Sequence, residues 1–372
     1  MIVPYSLQLA LAAGLVALAL TPLARALAIR VGAMDVPDAR RVHDRPMPRF
    51  GGLAIAAGVL GVAWLARLLP GPAAALEPRP LLGLTFAAIP ILALGMADDR
   101  WSVSPWVKLA VQACAALTLT VFGYGVPLLT NPLGPPIELG LLNVPVTLLW
   151  VLTVTNAINL IDGLDGLASG VVVIASAALW TVARMHADFY VMFFAALLIG
   201  ACAGFLRWNF PPARVFMGDT GSQFLGLTLS AVSLLENRKG TAAVTLLLPL
   251  VALGVPLADS AIAFLRRAVR RQHVFRGDTG HVHHQLLQAG LSKRGALFAM
   301  WALCAFFGTI AVLLTWLPRE WSAVLVALLA AVLFVTLELL RALRHDRRDR
   351  AAAREAAREA GSAAAKRSPR RR

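Results

Sequence analysis

The chain has 372 residues, of which 58% are hydrophobic and only 15% are charged. Soluble domains are about 25% charged, so this composition excludes an ordinary soluble protein and is typical of a membrane protein. The formal net charge is +15. No nucleic-acid-binding motif accompanies the basic residues, which argues against the nucleic-acid-binding proteins that such a charge could suggest.

Eleven apolar stretches follow one another along the chain, each close to the roughly 20 residues that a helix needs to cross a bilayer. They are residues 5–24, 51–69, 81–97, 106–124, 144–160, 166–183, 189–206, 217–235, 243–264, 296–315 and 322–340. The sequence therefore predicts an all-α integral membrane protein with about eleven transmembrane helices. We expect one membrane domain over residues 1–342 and a basic cytoplasmic tail, partly helical or disordered, over 343–372.

The basic residues are divided unevenly between the two sides that eleven spans would define. With the N-terminus outside, the inward loops 25–50 and 265–295 contain six and seven Lys and Arg residues, whereas the whole outer side keeps six. The positive-inside rule therefore predicts an outside N-terminus and a cytoplasmic C-terminus. The three cysteines lie inside predicted spans without metal-binding spacing, which indicates packing residues.

Acidic, amide and histidine side chains cluster on the inward side. The first cluster is Asp98-Asp99, at the inner end of the third stretch. Adjacent carboxylates repel one another, so the pair suggests a bound cation or a shared proton, with a solvated helix end as the alternative.

The second cluster repeats every third residue across the end of the fifth stretch. Its polar members are Asn156, Asn159, Asp162 and Asp165. This spacing aligns the two asparagines on one helix face, where both could hydrogen-bond one ligand. Gly163 and Gly166 would let the backbone approach a phosphate or a sugar. Packing alone is the less favoured alternative, because polar residues inside a membrane are costly.

The third cluster is FMGDTGS at residues 216–222, where Asp219 begins the eighth stretch. Helix N-termini favour anions, and a carboxylate there can hold a Mg²⁺ ion that bridges phosphates. Phe216 could stack on a nucleotide base.

The fourth cluster consists of His281, His283 and His284 in the basic loop 265–295. Three histidines in four residues could bind a metal. Because the other candidate ligands are hard carboxylates, we favour hydrogen bonds to phosphate oxygens, helped by Arg276. A histidine-rich loop that is merely exposed is the remaining alternative.

Carboxylates, a candidate Mg²⁺ site, an anion-binding helix end and basic loops together favour phosphoryl transfer from a cytosolic nucleotide to a lipid. No GxxxxGK[ST] loop is present, so ATP hydrolysis is not expected. A secondary transporter, with Asp162, Asp165 and Asp259 carrying ions, is less favoured because no internal repeat is found. Asp259 could instead pair with Arg266, about two turns on.

Five motifs resemble, in order, those of the polyprenyl-phosphate N-acetylhexosamine-1-phosphate transferase superfamily, of the glycosyltransferase family 4 type. They are PRFGG (48–52), MADDR (96–100), NAINLIDGLDGLASG (156–170), FMGDTGSQFLG (216–226) and HVHHQLLQAG (281–290). The PRxGG and HxHH forms resemble the branch that makes polyprenyl-diphosphate N-acetylglucosamine for surface glycans. The branch that makes lipid I has three consecutive histidines and a lysine where this chain has Ser102, so it is the less favoured alternative.

The resemblance implies transfer of N-acetylhexosamine-1-phosphate, most simply N-acetylglucosamine-1-phosphate, from a UDP-sugar to undecaprenyl phosphate. It implies a Mg²⁺ cofactor, for which Mn²⁺ could substitute. The enzyme would lie among the lipids of the bacterial cytoplasmic membrane, with its site facing the cytoplasm. No nucleic-acid partner is expected, and a homodimer is left open.

The resemblance also implies a role for each motif residue. Asp98 or Asp99 would be the base, Lys108 would contact phosphate, and Asp219 would bind the metal. The remaining residues would bind the donor: Asn156, Asn159, Asp162, Asp165, Phe216, His281, His283 and His284. Where this chain has Thr279, the family often has a basic residue, so pyrophosphate contacts would fall to Arg276 or the histidines.

Overall fold

The computed structural model describes residues 2–36, 45–129, 137–235, 250–251, 253–269 and 281–316, with the single residues 321, 324 and 331. Its α-helices are α1 (Ile2–Val31), α2 (Gly51–Ala56), α3 (Val62–Leu68), α4 (Pro78–Trp101), α5 (Pro105–Val121), α6 (Asn143–Ile161), α7 (Leu167–Met185), α8 (Phe189–Asn209), α9 (Gly218–Leu235), α10 (Gly254–Val269), α11 (Val282–Gln288) and α12 (Lys293–Leu314). A π-helical turn, Ala57–Gly61, joins α2 to α3. The described part also contains two short 3-10 helices, Pro72–Ala75 and Gly140–Leu142. Two antiparallel pairs of short strands are present as well: β1 (Met34–Asp35) with β2 (Met47–Pro48), and β3 (Leu128–Leu129) with β4 (Ile137–Glu138).

Seven helical segments of the described chain are long and apolar enough to cross a membrane. They are Pro4–Val31, Gly51–Leu68, Pro78–Trp101, Gly140–Ile161, Leu167–Met185, Phe189–Asn209 and Lys293–Leu314. The prediction of a helical chain with many membrane-length apolar segments is thereby confirmed, while the count of eleven spans and the orientation of the termini stay predictions. The predicted last span, 322–340, and the tail, 343–372, lie outside the described residues apart from 324 and 331.

Helix α9 is enclosed by neighbouring helices. Its sequence does not indicate this, because the stretch 217–235 is about as long and as apolar as the other predicted spans. All its residues from Thr220 to Leu235 are buried, and it packs against α2, α4 and α6. Because protein rather than lipid surrounds it, α9 tolerates polar residues such as Gln223 that a lipid-facing helix would place at high cost. The enclosed helix carries the FMGDTGS motif at its start.

Small residues bring α1 and α8 into close contact. Gly14 of α1 faces Gly200 and Gly204 of α8, and a Cβ atom at Gly200 would overlap the carbonyl oxygen of Ala10. In a membrane, where helices gain little from hydrophobic burial against each other, such close backbone approach is a main source of helix association. The α1–α8 contact therefore holds the N-terminal helix in the bundle.

We expect Gly200→Ala to destabilise the protein by about 2 kcal/mol, because overpacking against a backbone atom forces α1 and α8 apart. Gly61→Ala is the matched control, since a Cβ atom there would meet nothing within 4 Å and alanine favours a helix. The unfolding temperatures of the two variants in detergent test this. Equal unfolding temperatures would show that the α1–α8 approach does not limit stability.

Candidate active site

A cavity of about 260 Å³ opens at one end of the helix bundle. Its walls are formed by Asp35, Arg49, Asn159, Asp162, Gly163, Leu164, Asp165, Asn209, Phe216, Gly218, Asp219, His284 and Lys293. Chain segments far apart in sequence therefore meet here, as the inward-facing clusters predicted. Six residues assigned to the site from sequence line this cavity: Asn159, Asp162, Asp165, Phe216, Asp219 and His284.

Three helices meet at Asp219, in the first turn of α9. Its Oδ1 accepts a hydrogen bond from Asn159 Nδ2 of α6 at 2.9 Å, and its Oδ2 accepts one from Lys108 Nζ of α5 at 2.7 Å. Lys108 also forms an ion pair with Asp98, at the end of α4. We call Lys108, Asn159 and Asp219 the ionic layer. It fixes one carboxylate at the edge of the cavity with a cation behind it.

Asp99 caps the N-terminus of α9. Its Oδ1 accepts from the Asp219 backbone N–H at 2.8 Å, and its Oδ2 accepts from the Thr220 backbone N–H at 3.1 Å and the Thr220 hydroxyl at 2.7 Å. Arg49 Nη1 lies 3.7 Å from Asp99 Oδ1, and the Asp99 side chain is fully enclosed. A carboxylate at this position satisfies the otherwise unpaired N–H groups of a buried helix start.

The two adjacent aspartates thus have different partners. Asp98 accepts from the Val103 N–H at 2.6 Å and from Lys108, whereas Asp99 holds the start of α9. Neither lines the cavity. The two carboxylates thus serve different parts of the site, and the suggestion that the pair shares a proton or binds a cation stays a prediction.

Two glycines allow α4 and the start of α9 to meet. A Cβ atom at Gly95 of α4 would lie 2.6 Å from the Thr220 nitrogen, and a Cβ atom at Gly218 would overlap the Asp99 carboxylate. Gly218 also has a φ angle of 70°, which favours glycine. Because glycine has no side chain at these two positions, the acidic pair can lie close to the ionic layer.

The loop between α6 and α7 is tied to the segment that follows α8. Asp165 Oδ2 accepts from the Ala213 N–H at 3.0 Å, and Asn209 Oδ1 accepts from the Gly166 N–H at 2.9 Å. Asp165 therefore anchors the loop while lining the cavity. Gly166 adopts a φ angle of 76°, which a glycine allows at this turn.

Asp162, in the same loop, has a pKa that its surroundings shift. Burial, followed by the nearby negative charges of Asp219, Asp99 and Asp165, raises the pKa of Asp162 well above its ordinary value. Arg49 opposes this effect. The cavity thus concentrates more negative charge than its own cations balance, which favours a bound cation.

Arg49 and Lys293 also line the cavity, although sequence reasoning did not assign them to it. Arg49 follows β2 and pairs with Asp35 of β1. Its segment is held beside the FMGDTGS motif, because the Phe216 N–H donates to the Pro48 carbonyl at 2.9 Å and the Gly51 N–H donates to the Phe216 carbonyl at 3.0 Å. The PRFGG motif contains Arg49 and could have indicated it, but the family resemblance implied no role for this arginine.

The three histidines occupy different positions. His281 Nδ1 lies 3.1 Å from Asp259 Oδ2, and the Val282 N–H donates to Asp259 Oδ1 at 3.1 Å. His281 is thus a partner of Asp259 in the described part of the chain, while the alternative pairing with Arg266, whose side chain lies outside the described residues, stays a prediction. His284 reaches the cavity, whereas the predicted Arg276 lies outside the described residues.

His283 is enclosed between its neighbours and Gly163. It is 1% exposed, and within the described chain neither ring nitrogen has a hydrogen-bond partner. Burial, followed by the nearby rings of His284 and His281, lowers the pKa of His283 to about 3. A Cβ atom at Gly163 would lie 2.7 Å from its Nε2. The glycine makes room for this ring, so His283 supports the cavity wall as a neutral side chain.

Asn156, which was predicted to bind the donor, contacts helix α5 instead of the cavity. Its Nδ2 donates to Gln112 Oε1 and to the Leu152 carbonyl, both at 2.8 Å, and it does not line the cavity.

The residues present fit a magnesium ion. No group of three or more His, Cys, Asp or Glu side chains in the described residues forms a complete metal site by itself. Mg²⁺ does not need one, because proteins usually hold it by one or two carboxylates together with substrate phosphates. Asp219 and Asp162 offer such oxygen ligands at the cavity, where Asp35 and Asp165 add two further carboxylates.

The low pKa of His283 predicts an acid-sensitive fold. At pH 5 the folded protein keeps this ring neutral, whereas the unfolded chain, with its pKa near 6.5, binds a proton. The contribution of His283 to the free energy of unfolding is therefore complete above about pH 7 and falls by about 2 kcal/mol towards pH 5. His283→Gln should flatten the pH dependence of the unfolding temperature between pH 7 and 5. His186→Gln, which changes an exposed histidine, is the control, and an identical pH slope in wild type and His283→Gln would contradict this assignment.

Comparison with known proteins identifies the family. Residues 81–237 match the model of glycosyl transferase family 4. The chain is 37% identical to a probable undecaprenyl-phosphate N-acetylglucosaminyl 1-phosphate transferase of Bacillus subtilis (strain 168), covering 81% of this chain and 82% of that protein. It is 33% identical to decaprenyl-phosphate N-acetylglucosaminephosphotransferase of Mycobacterium tuberculosis (strain CDC 1551 / Oshkosh), covering 85% of both. It is 28% identical to undecaprenyl-phosphate alpha-N-acetylglucosaminyl 1-phosphate transferase of Escherichia coli (strain K12), covering 84% of this chain and 85% of that protein. The matched segment contains the ionic layer and its capping aspartate, and the chain belongs to glycosyl transferase family 4.

Proposed function

We propose that this protein transfers N-acetylglucosamine-1-phosphate from UDP-N-acetylglucosamine to undecaprenyl phosphate and releases UMP. The observation that carries this proposal is Asp219, fixed by Lys108 and Asn159 at the edge of a cavity that also contains Asp162 and Asp165. The names of the B. subtilis and E. coli relatives support the same acceptor and sugar. The mycobacterial relatives are named for decaprenyl phosphate, so the acceptor class is the polyprenyl phosphates.

Asp219, with Asp162 beside it in the cavity wall, would hold Mg²⁺, for which Mn²⁺ could substitute. The metal would neutralise the pyrophosphate of the donor and stabilise the leaving UMP. Lys108 keeps the Asp219 carboxylate ionised and in place. Arg49 and His284, which line the same cavity, are donors for the phosphate oxygens, as Arg276 would be if its loop closes over the donor.

Phe216 lines the cavity and provides an aromatic face for the uracil. An oxygen of the lipid phosphate attacks the β-phosphorus, the bond from this phosphorus to the bridging oxygen breaks, and UMP leaves. Asp98 is the better candidate for keeping the lipid phosphate deprotonated, because Asp99 is fully enclosed and already accepts three hydrogen bonds from the start of α9. Asp99 then supports the site from behind.

We infer that the cavity faces the cytoplasm from a bacterial inner membrane, with the N-terminus outside and the C-terminus inside. The basic stretches 25–50 and 265–295 support this orientation, because Arg49 of the first and Lys293 of the second line the cavity. Trp101 and Trp106 are 72% and 67% exposed at the same end, where aromatic residues would mark the membrane interface.

Asp219→Asn should reduce UMP release from UDP-N-acetylglucosamine and undecaprenyl phosphate by at least about a thousandfold, because the proposed metal ligand and one of the two carboxylate partners of Lys108 are lost. Purified protein in detergent with Mg²⁺ provides the assay, and EDTA should abolish turnover until Mg²⁺ is restored. Glu138→Gln, at an exposed strand residue of the opposite end, is the matched control. Near-normal turnover by folded Asp219→Asn would refute the metal assignment, and turnover with another UDP-sugar alone would refute the choice of sugar.

The orientation can be tested independently of activity. A green fluorescent protein fused after residue 372 should fluoresce, because this reporter folds in the cytoplasm, whereas alkaline phosphatase at the same position should be inactive. Active alkaline phosphatase fused there would place the C-terminus outside.

A further inference from the structure

A second polar layer lies one helical turn below the ionic layer, on the same three helices. Its members are Gln112 on α5, Asn156 on α6 and Gln223 on α9. Each is three or four residues from the ionic-layer member of its own helix, and residues at that spacing share one helix face. The two layers are therefore stacked along the bundle, and we call the lower one the amide layer.

Hydrogen bonds through Gln112 connect the amide layer. Its Oε1 accepts from Asn156 Nδ2 at 2.8 Å, and its Nε2 donates to Gln223 Oε1 across a long 3.4 Å contact. Gln112 is 2% exposed and Gln223 is 1% exposed. One side chain of α5 thus contacts both α6 and α9 inside the bundle.

Stability alone gives no reason for this arrangement. In the described chain Gln223 Nε2 has no hydrogen-bond partner, although it is buried. A buried polar group without a partner costs about 1–3 kcal/mol, and apolar side chains of similar shape avoid that cost. The amides therefore occupy positions at which leucine would be expected to give a more stable bundle.

Helix α5 needs such a connection near Lys108. Its buried residues are Gln112, Ala115, Ala116 and Leu119, while Trp106 and Val107 are exposed. Gln112 is thus the buried residue of α5 that lies nearest to Lys108. The hydrogen bonds of Gln112 therefore hold this part of α5 independently of the Lys108 ion pairs, whose geometry the site requires.

We propose that Gln112 and Gln223, together with Asn156, are positioning residues that set Lys108 against Asp219 for the transfer reaction. This inference rests on the proposed function. It also gives Asn156 a different role from the donor contact that its motif suggested, because Asn156 contacts Gln112 rather than the cavity.

Gln112→Leu, Gln223→Leu and the double variant separate positioning from stability. Each single variant leaves an amide without its partner and should lower both the unfolding temperature and kcat, the latter about tenfold because a small misplacement of a catalytic group is costly. In the double variant Gln112 and Gln223 are both replaced by apolar residues, and Asn156 Nδ2 keeps its hydrogen bond to the Leu152 carbonyl. The unfolding temperature should therefore rise above that of either single variant, while kcat stays low. The KM for UDP-N-acetylglucosamine should remain within about twofold in all three, because none touches the donor.

Thr228→Val is the matched control. This buried residue of α9 donates only to the Phe224 carbonyl of its own helix at 2.8 Å, so its loss should leave kcat unchanged. Asn156→Ala should behave like the single glutamine variants, with a low kcat and an unchanged donor KM.

Recovery of kcat together with stability in the double variant would reduce the amide layer to a packing role and overturn the proposal. A large increase in donor KM for Asn156→Ala would return that residue to donor binding and overturn its assignment here. If wild-type protein released no UMP, the proposed function would fail and the positioning role with it. Active wild type with normal kcat in every glutamine variant would overturn the positioning role alone.

Discussion

The site depends on which groups accept hydrogen bonds from the backbone N–H groups in the first turn of the buried helix α9. The start of α9 exposes backbone N–H groups inside the protein, where leaving them unpaired is costly. Asp99 accepts hydrogen bonds from the backbone N–H groups of Asp219 and Thr220 and from the Thr220 hydroxyl. These bonds fix the position of Asp219. Because the helix dipole also favours negative charge at this end, the same interaction permits a second carboxylate nearby. The anionic character of the cavity therefore follows from the burial of this helix end.

The charge balance around this helix bears on how the acidic cavity could bind the phosphates of the proposed donor. Lys108 lies between Asp98 and Asp219, and Arg49 lies between Asp35 and Asp99. Each cation is thus shared by two carboxylates, and Asp162 and Asp165 add further negative charge to the cavity wall. A bare pyrophosphate would be repelled by this arrangement. A divalent cation makes it favourable, which is why an acidic cavity is consistent with an anionic donor.

The sequence predicted the members of the cavity better than it predicted their individual roles. Asn159, Asp162 and Asp165 could be found because a period of three residues places polar groups on one helix face that continues into a loop. The same pattern included Asn156, whose partner on α5 is 44 residues away, and no local spacing reveals such a partner. Arg49 was missed for a similar reason, since only the β1–β2 pairing brings it beside Asp35. The contact of Asp259 with His281 could not be predicted either, because the two residues are 22 positions apart and no helical spacing relates them.

The number of transmembrane helices is difficult to predict from the sequence, because apolar composition does not distinguish lipid-facing helices from enclosed ones. Helix α9 combines membrane-like length with Ser222, Gln223 and Thr228, and the reason for this mixture is that its neighbours shield it completely. Such shielding requires the close approach that Gly52 and Gly95 allow, since a Cβ atom at either position would collide with the backbone of α9. Glycine on α2 and α4 thus makes room for a polar helix at the centre of an apolar bundle. A membrane protein can place carboxylates at the end of such a helix only when this packing keeps lipid away from them, so the chemistry of the cavity depends on the glycines that surround it.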